Sequence, residues 1–528
     1  MFLRIVKSKN KEYLVIVESY WDGSRSRQRN IGSLGNIEKL RESGKLEKLA
    51  SALLKYCKQR KYLDITTTEE KDRKWWGAVR VYRKIWDEFK MDKLWEKVLE
   101  GRKIEFDLWS AVFLMVLDRL IDPKSKLKSF QEQDRYYGVK ENSLQHLYRG
   151  LDILAESKEK IERYLFAQNI NLFNMKVDVV FYDVTTLYFE SVREDALKKM
   201  GFSKDGKFKE VQIMLGLLQD TEGRPVGYDV FPGSSFEGHT LPKALEKMKD
   251  KFQINRVIVI GDQALLSKKN IKMIKGKGYQ YIVGGRIKNL PKEIKEEILR
   301  KDGYKPVKDK EGNEIFRWKR IQLGGEDLIC SWSERKARRD RKEREQLVEK
   351  AKKMIEEGKV MGKVKRGPLR FIEIVSDSAP ALSSAKIEED ERWDGYFGIR
   401  TDCKNLRAEK VLELYHQLWR IEESFRIFKT HLETRPMFHW TPKRIEGHLV
   451  LCFIAFLLER TLEIELRRNK IEYSPEKIRK ALDSLQFSEI EIEGRKFFLR
   501  SPVEGLANQI LRTMKIKIPP NIGILENF

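Results

Sequence analysis

Cysteine and histidine are scarce in this chain. Only four cysteines (Cys57, Cys330, Cys403 and Cys452) and six histidines occur among 528 residues, and they are too scattered for a zinc site or a disulfide framework. There is no H-E-x-x-H pair, no G-x-x-x-x-G-K-[ST] phosphate loop, and no G-x-G-x-x-G after a strand. Long apolar runs are missing as well. The longest, Leu449 to Leu458, falls well short of the roughly 20 residues that span a bilayer, and Met1-Phe2-Leu3-Arg4 opens no secretory h-region. Neither secretion nor membrane insertion is expected, a reducing cytosol fits, and any metal has to be held by carboxylates.

Positive charge is present in excess. Lys and Arg total 106 against 81 Asp and Glu, a formal charge of +25, which asks for a polyanionic partner, with nucleic acid first among them. A hydrophobic content of 41% with 10% aromatics is too high for a mostly disordered chain. The length allows roughly two to four domains of about 100–200 residues.

The patterns divide the chain as follows. Residues 1–60 read as a basic β-hairpin module, with alternation at Tyr13–Val17, turn chemistry at Trp21-Asp22-Gly23-Ser24 and a second strand near Arg27–Ile31. Residues 61–170 read as helical and Trp-rich, broken at Asp122-Pro123. The bundle would pack on its aromatics, and Lys124, Lys126 and Lys128 could alternatively form a DNA-contacting turn. Residues 171–285 predict a meander of three strands (Val177–Tyr182, Val211–Leu218, Pro225–Phe231). A helix from Leu241, a buried strand Val257–Ile260, a helix from Ser267 and a strand Tyr279–Val283 follow. A mixed α/β sheet with helices on its faces results. Residues 286–400 form a β-rich insertion around a charged helix from Glu334 to Glu357, residues 401–470 return to helices, and residues 471–528 form a C-terminal region.

Two acids follow apolar strands: Asp183 after Val177–Tyr182, and Asp262 after Val257-Ile258-Val259-Ile260-Gly261. Each alone could be a turn former or helix cap, but a carboxylate at the end of a buried strand is also where a metal ligand would sit. The stretch Ala408–Glu433 has apolar residues at Val411, Leu414, Leu418, Ile421, Phe425, Phe428 and Leu432, one stripe of an amphipathic helix. Tyr415, Glu422, Arg426 and Lys429 point close to one direction away from that stripe, and Glu423 points about 100° from Glu422. An exposed face carrying an i,i+4 Glu422–Arg426 pair is the plain alternative.

These residues resemble the insertion-sequence transposases of the IS4-like superfamily, whose ribonuclease H-like core carries a DDE triad and a Y-x2-R-x3-E-x6-K signature. Tyr415, Glu422 and Lys429 match the signature, whereas its Arg position is Leu418, so that phosphate contact would fall to Arg420 or Arg426. Gly201-Phe202-Ser203-Lys204-Asp205, Pro232-Gly233, Arg435-Pro436 and Arg444-Ile445-Glu446-Gly447-His448 are similar to accessory patterns of the same group. The likeness covers roughly residues 176–465, and the 160-residue interval from Asp262 to Glu422 leaves room for the family's β-rich insertion.

The resemblance implies a DNA transposase acting by two-metal phosphoryl transfer. Asp183, Asp262 and Glu422 would hold Mg²⁺, for which Mn²⁺ can substitute, while Tyr415, Arg420, Arg426 and Lys429 would hold DNA phosphates. It also implies binding to double-stranded DNA at element ends and target, strand transfer within a synaptic homodimer or higher multimer, and a bacterial or archaeal cytoplasm with nucleoid association on DNA. Trp318, Trp332 and Trp393 of the insertion would either stack on a base or pack in a core. Two alternatives stay open: a transposase-derived DNA-binding protein that no longer cuts, and a ribonuclease H-like nuclease without strand transfer.

Overall fold

The computed structural model describes all residues except 9, 57–68, 174–177, 253, 255–256, 264, 266, 361–365, 374–378, 436 and 493. Cys57, Val177 and Pro436, which the sequence reading used, therefore lie outside the described residues. The chain folds as two compact units, one of Met1–Asp72, Ser488–Leu499 and Ile522–Phe528, the other of Arg73–Phe487 and Arg500–Asn521.

In the first unit β1 (Phe2–Ser8), β2 (Lys11–Trp21) and β3 (Ser26–Asn36) form an antiparallel sheet in that order. The turn expected at Asp22 is present: its carboxylate accepts from the backbone N–H of Ser24 (3.0 Å) and Arg25 (2.9 Å), and Gly23 takes φ +96°, open to glycine without strain. The module has one strand more than expected. Residues of β1 are almost all exposed on both faces, so no burial alternation marked it. β4 (Glu70–Trp75) belongs to a four-stranded sheet with Gln486–Ile492, Arg495–Arg500 and Ile522–Ile524.

The second unit begins with helices Gly77–Glu88, Met91–Leu99, Leu108–Ile121, Leu144–Glu156 and Lys158–Phe173. Their core is aromatic: the Trp86 ring meets Trp95 at 6.0 Å, Trp109 at 5.9 Å and Phe113 at 5.0 Å. Asp122-Pro123 does end a helix, but two of the lysines after it turn inward. Lys124 is buried between Asp122 (3.0 Å) and Glu132 (2.9 Å), and Lys126 is 3% exposed. Only Lys128 of the three faces solvent, so the three lysines do not form one exposed DNA-contacting turn. The apolar helix Pro442–Arg468 lies against Leu144–Glu156. A Cβ on Gly447 would overlap the Leu151 carbonyl, so the two backbones meet where only glycine fits.

The sheet of this unit has nine strands. The expected meander is β5 (Val179–Tyr188), β6 (Gln212–Gln219) and β7 (Pro225–Pro232), antiparallel throughout, with β8 (Ile258–Gly261) and β9 (Gln280–Gly284) added parallel on the other side of β5. The order β7-β6-β5-β8-β9 is that of a ribonuclease H-like core, and the chain is mixed α/β as its pattern predicts. Most of the insertion joins the core sheet. β10 (Lys305–Lys308), β11 (Glu314–Leu323) and β12 (Glu326–Trp332) continue it, β13 (Ile372–Glu373) and β14 (Ala381–Leu382) pair only with each other, and β15 (Tyr396–Thr401) returns to the core sheet. β15 pairs with both β12 and β9. The charged helix is present as Glu334–Glu356. Among the described residues no helix is long and apolar enough to cross a membrane.

Candidate active site

Strand alternation divides the core residues between two faces. Val180, Tyr182, Val184, Val259, Tyr281 and Val283 pack with Leu241, Leu245 and Met248 of the helix Leu241–Asp250. Asp183 therefore faces the opposite side, against which the helix Trp419–Arg426 packs. β5 does not end at Asp183 as the sequence reading supposed. Its parallel pairing with β8 stops at Phe181↔Ile260, while antiparallel pairing with β6 continues to Tyr188↔Gln212. Extending the parallel register past its last pair brings Asp262 level with Asp183. The two carboxylates are electrostatic neighbours: burial first, then the charges of Asp262 and Glu237, push Asp183 up to about 7 despite the opposing pull of Lys204. Asp262 also closes its own turn by accepting from Leu265 N (2.8 Å).

The expected helix over 408–433 is present in three pieces. Ala408–His416 and Trp419–Arg426 are joined by a tightened turn, in which Leu418 N bonds to Tyr415 O (3.1 Å) and Arg420 N to Gln417 O (2.9 Å). A π-helical turn, Ile427–His431, then widens the spiral, with Leu432 N reaching back to Ile427 O (3.0 Å). Tyr415 lies across the end of β9: a Cβ on Gly284 would stand 2.5 Å from its hydroxyl. Burial, then the charges of Asp262 and Glu422, push the Tyr415 phenol up to about 12, so this one ring lies within the fields of two of the three acids. Glu422 is exposed, whereas Glu423 turns to Arg460 (3.4 Å).

The four expected phosphate-binding residues separate in space. Arg426 is exposed near Glu422 on the same helix. Lys429 is buried, with Nζ 3.1 Å and 3.2 Å from the Asp205 carboxylate oxygens. Arg420 is not brought to the acids. It donates to the Thr221 carbonyl (2.6 Å) and lines a cavity of about 650 Å³ with Asp178 and Ile258, at the beginnings of β5 and β8. The three tryptophans of the insertion are engaged in the fold. Trp393 is buried, Trp318 donates to Glu409 (3.1 Å), and Trp332 donates to the Asp394 carbonyl (3.0 Å).

The sequence reading missed three residues at this site, Lys204 and Asp205 on a loop and Glu237 at the start of a short 3-10 helix. Lys204 places Nζ 2.6 Å from the Val184 carbonyl, 2.8 Å from Glu237 and 4.0 Å from Asp183, so an ammonium stands among the acids. Asp205 holds Lys429 and Arg435 together, the latter at 2.7 Å. Glu237 adds a fourth carboxylate to the neighbourhood. The signal was the Gly201–Asp205 pattern itself. Gln212 donates to the carbonyls of Phe202 and Gly233 (3.1 Å each), and a Cβ on Gly201 would overlap the Gly233 carbonyl. The two glycine patterns thus lock the loop that carries Lys204 and Asp205.

Among the described residues no three His, Cys, Asp or Glu side chains stand close enough to cage a metal ion. The donor set nevertheless suits a hard divalent cation: Asp183, Asp262 and Glu422 offer only oxygen, and a cation would favour the charged form of Asp183 against the burial and neighbouring acids that raise it.

Residues 3–69 match the N-terminal domain of IS1634 family transposases. No curated protein matches the chain. Two solved structures share 12% identity with it: a Mos1 transposase paired-end complex with left transposon end, and a pre-cleavage Mos1 transpososome. Each alignment covers 34% of this chain and 60% of the other, with a TM-score of 0.15. The chain thus spans about 60% of the length of those structures. Residues 175–458 match the transposase DDE domain, a span that contains Asp183, Asp262, Glu422 and every residue of the lysine–aspartate cluster, and the chain belongs to that family.

Proposed function

We propose that the protein is a DNA transposase that binds the terminal inverted repeats of an insertion sequence and carries out metal-dependent cleavage and strand transfer. The observation that carries the reading is the meeting of Asp183 and Asp262 at one level of adjacent parallel strands, with Tyr415 in the fields of both Asp262 and Glu422. Asp183, Asp262 and Glu422 would hold Mg²⁺ or Mn²⁺, which when bound activates a water or a DNA 3′-OH and stabilises the leaving oxygen. Arg426, exposed on the Glu422 helix, and the half-buried Tyr415 of the preceding helix would fix the scissile strand through its phosphates, which positions DNA without reading its sequence. Lys429, held by Asp205, sets the turn beyond Glu422, and Lys204 balances the acids until cation and DNA arrive. The Y-R-E-K signature and the IS4-like affiliation belong to this reading, with Leu418 in the Arg position. The +25 charge supports a duplex partner, and a multimer bridging two element ends belongs to the same reading.

The test is cleavage of DNA carrying the sequences that flank the gene, in Mg²⁺, Mn²⁺ or EDTA. Metal-dependent breaks at the flanking repeats are expected, together with joining of the freed 3′ ends to a second duplex. Tight, salt-sensitive binding without breaks would support the inactive DNA-binding alternative. Breaks without joining would support the plain nuclease.

A further inference from the structure

Between Glu422 and the long apolar helix the chain crosses the end of β5, where Met437 N donates to the Tyr188 carbonyl (3.3 Å). This crossing roofs a cavity of about 440 Å³ that none of the chemistry above uses, lined by Arg119, Lys126, Trp440, Arg444 and His448 among others. Arg435, Arg444 and His448, from two of the accessory patterns, are among its lining.

The walls of this cavity are rich in donors and cations. Lys126 is 3% exposed, Arg119 6% and His448 5%, and Lys126 Nζ, Arg119 Nε and His448 Nδ1 have no hydrogen-bond partner among the described residues. The terminal nitrogens of Arg119 donate to the carbonyls of Leu432 (3.3 Å), Glu433 (3.4 Å) and Lys124, which leaves its Nε, and the other cations nearby are engaged: Lys124 by Glu132, Arg435 by Asp205, and Arg444 by Asp152 at 3.5 Å. Of the acids, Asp118 lies behind Lys126 with one oxygen taken by the Tyr136 hydroxyl (2.8 Å), and Glu433 is at the rim. Thr441 caps the helix Pro442–Arg468 at this wall, adding the positive end of its dipole. At the mouth Phe438 and Trp440 are 68% and 67% exposed, and Lys198 fixes the Trp440 backbone through a bond to its carbonyl (3.2 Å).

Buried, unpaired donors call for an anion with several acceptor oxygens, and exposed rings beside them call for a flat partner. We propose that this pocket binds one nucleoside phosphate unit, with its phosphate on Lys126, Arg119 and the helix start and its base on Trp440. The volume suits such a ligand. A DNA strand is one source of the unit and a free nucleotide another, and the strand alternative rests on the function proposed above. Five residues of β5 separate Asp183 from Tyr188, about 16 Å at 3.3 Å per residue. That is about five nucleotides at 3.4 Å each, so one strand could engage the acids and the pocket together.

The experiment uses the full chain and its Lys126→Met and Trp440→Ala variants. A labelled single-stranded DNA 10-mer is titrated by fluorescence anisotropy, with dAMP and inorganic phosphate as competitors, and duplex cleavage is assayed in parallel. Trp440→Ala should weaken the 10-mer by about 5- to 150-fold, the range of one base–aromatic stack, and Lys126→Met by at least about tenfold. Competition by dAMP identifies a free nucleotide as a ligand; its failure while both variants still weaken the 10-mer identifies the strand. Affinity within twofold of wild type for Lys126→Met overturns the pocket, and a loss confined to Lys126→Met overturns the base assignment. Cleavage by the wild type with unaltered binding by both variants would sink the pocket alone. Weakened binding with no cleavage would sink the transposase reading alone.

Discussion

Replacing Lys126 by methionine should make the protein more stable. Burial first, and the neighbouring Arg119 charge second, pull the Lys126 amine from its ordinary 10.5 down to about 7, with Asp118 and Cys452 opposing. At 1.36 kcal/mol per pH unit the gap is worth about 5 kcal/mol, and methionine fills a similar volume without a charge to desolvate. The sign follows from proton binding. Above 10.5 the amine is neutral in both folded and unfolded chains and costs nothing. Between 10.5 and 7 the unfolded chain takes a proton that the folded chain refuses, so stability falls with falling pH and the full cost is present below about 7. Lys126→Met should therefore gain a few kcal/mol at pH 7 and most of that gain should be gone by pH 9.5. Urea titrations of both proteins, followed through the tryptophan cluster of the same helical region, measure this difference. A variant no more stable than wild type at pH 7, or a gain that does not shrink toward pH 9.5, would refute the reasoning. A gain in stability coupled to a loss of strand binding is the expected signature of a residue kept for a ligand.

Three further outcomes follow from the packing. Gly284→Ala places a methyl 2.5 Å from the Tyr415 hydroxyl; cleavage should fall about 10- to 100-fold with the circular dichroism of the wild type, and unchanged cleavage would show that Tyr415 needs no fixed place. Asp205→Ala leaves the buried Lys429 without its carboxylate and should cost about 3–5 kcal/mol, whereas Asp205→Ala with Lys429→Met should recover much of it; a double variant as unstable as the single one would contradict the pairing. Gly447→Ala drives a methyl into the Leu151 carbonyl and should lower the melting temperature by several degrees, against no change if the helices can part.

Much of the core was legible because its strands alternate and its turns carry Asp, Gly and Thr: β5, β6, β7, β8 and β9 lie within a few residues of the predicted spans. The place of Asp183 was less so. An apolar run that meets an acid looks finished, yet β6 continues to pair beyond the point where β8 stops, and pairing with a partner is not written in the strand itself. Likewise nothing in β11, β12 or β15 says which sheet an antiparallel strand joins, so their place in the core sheet was not legible. The helix over 408–433 looked continuous because its apolar spacing survives a tightened turn and a π-turn. Those irregularities take Lys429 to Asp205 and leave Arg420 at the far end of the strands. Lys204 and Asp205 were hidden for a different reason: loop residues have no period, and their role appears only when Gln212 and the glycines fix the loop. Lys124 and Lys126 read as surface charge because burying a lysine is costly and therefore rarely expected.

The central claim is that Asp183, Asp262 and Glu422 act as one cation-binding set, and Glu423, one residue away, is not part of it. Mn²⁺ binding to the protein–DNA complex, followed by electron paramagnetic resonance, tests this most directly in Asp183→Asn, Asp262→Asn, Glu422→Gln and Glu423→Gln. The account predicts that the first three lose Mn²⁺ affinity and DNA cleavage together while still binding DNA, and that Glu423→Gln retains both. Wild-type Mn²⁺ affinity in the first three, or its equal loss in Glu423→Gln, would contradict it.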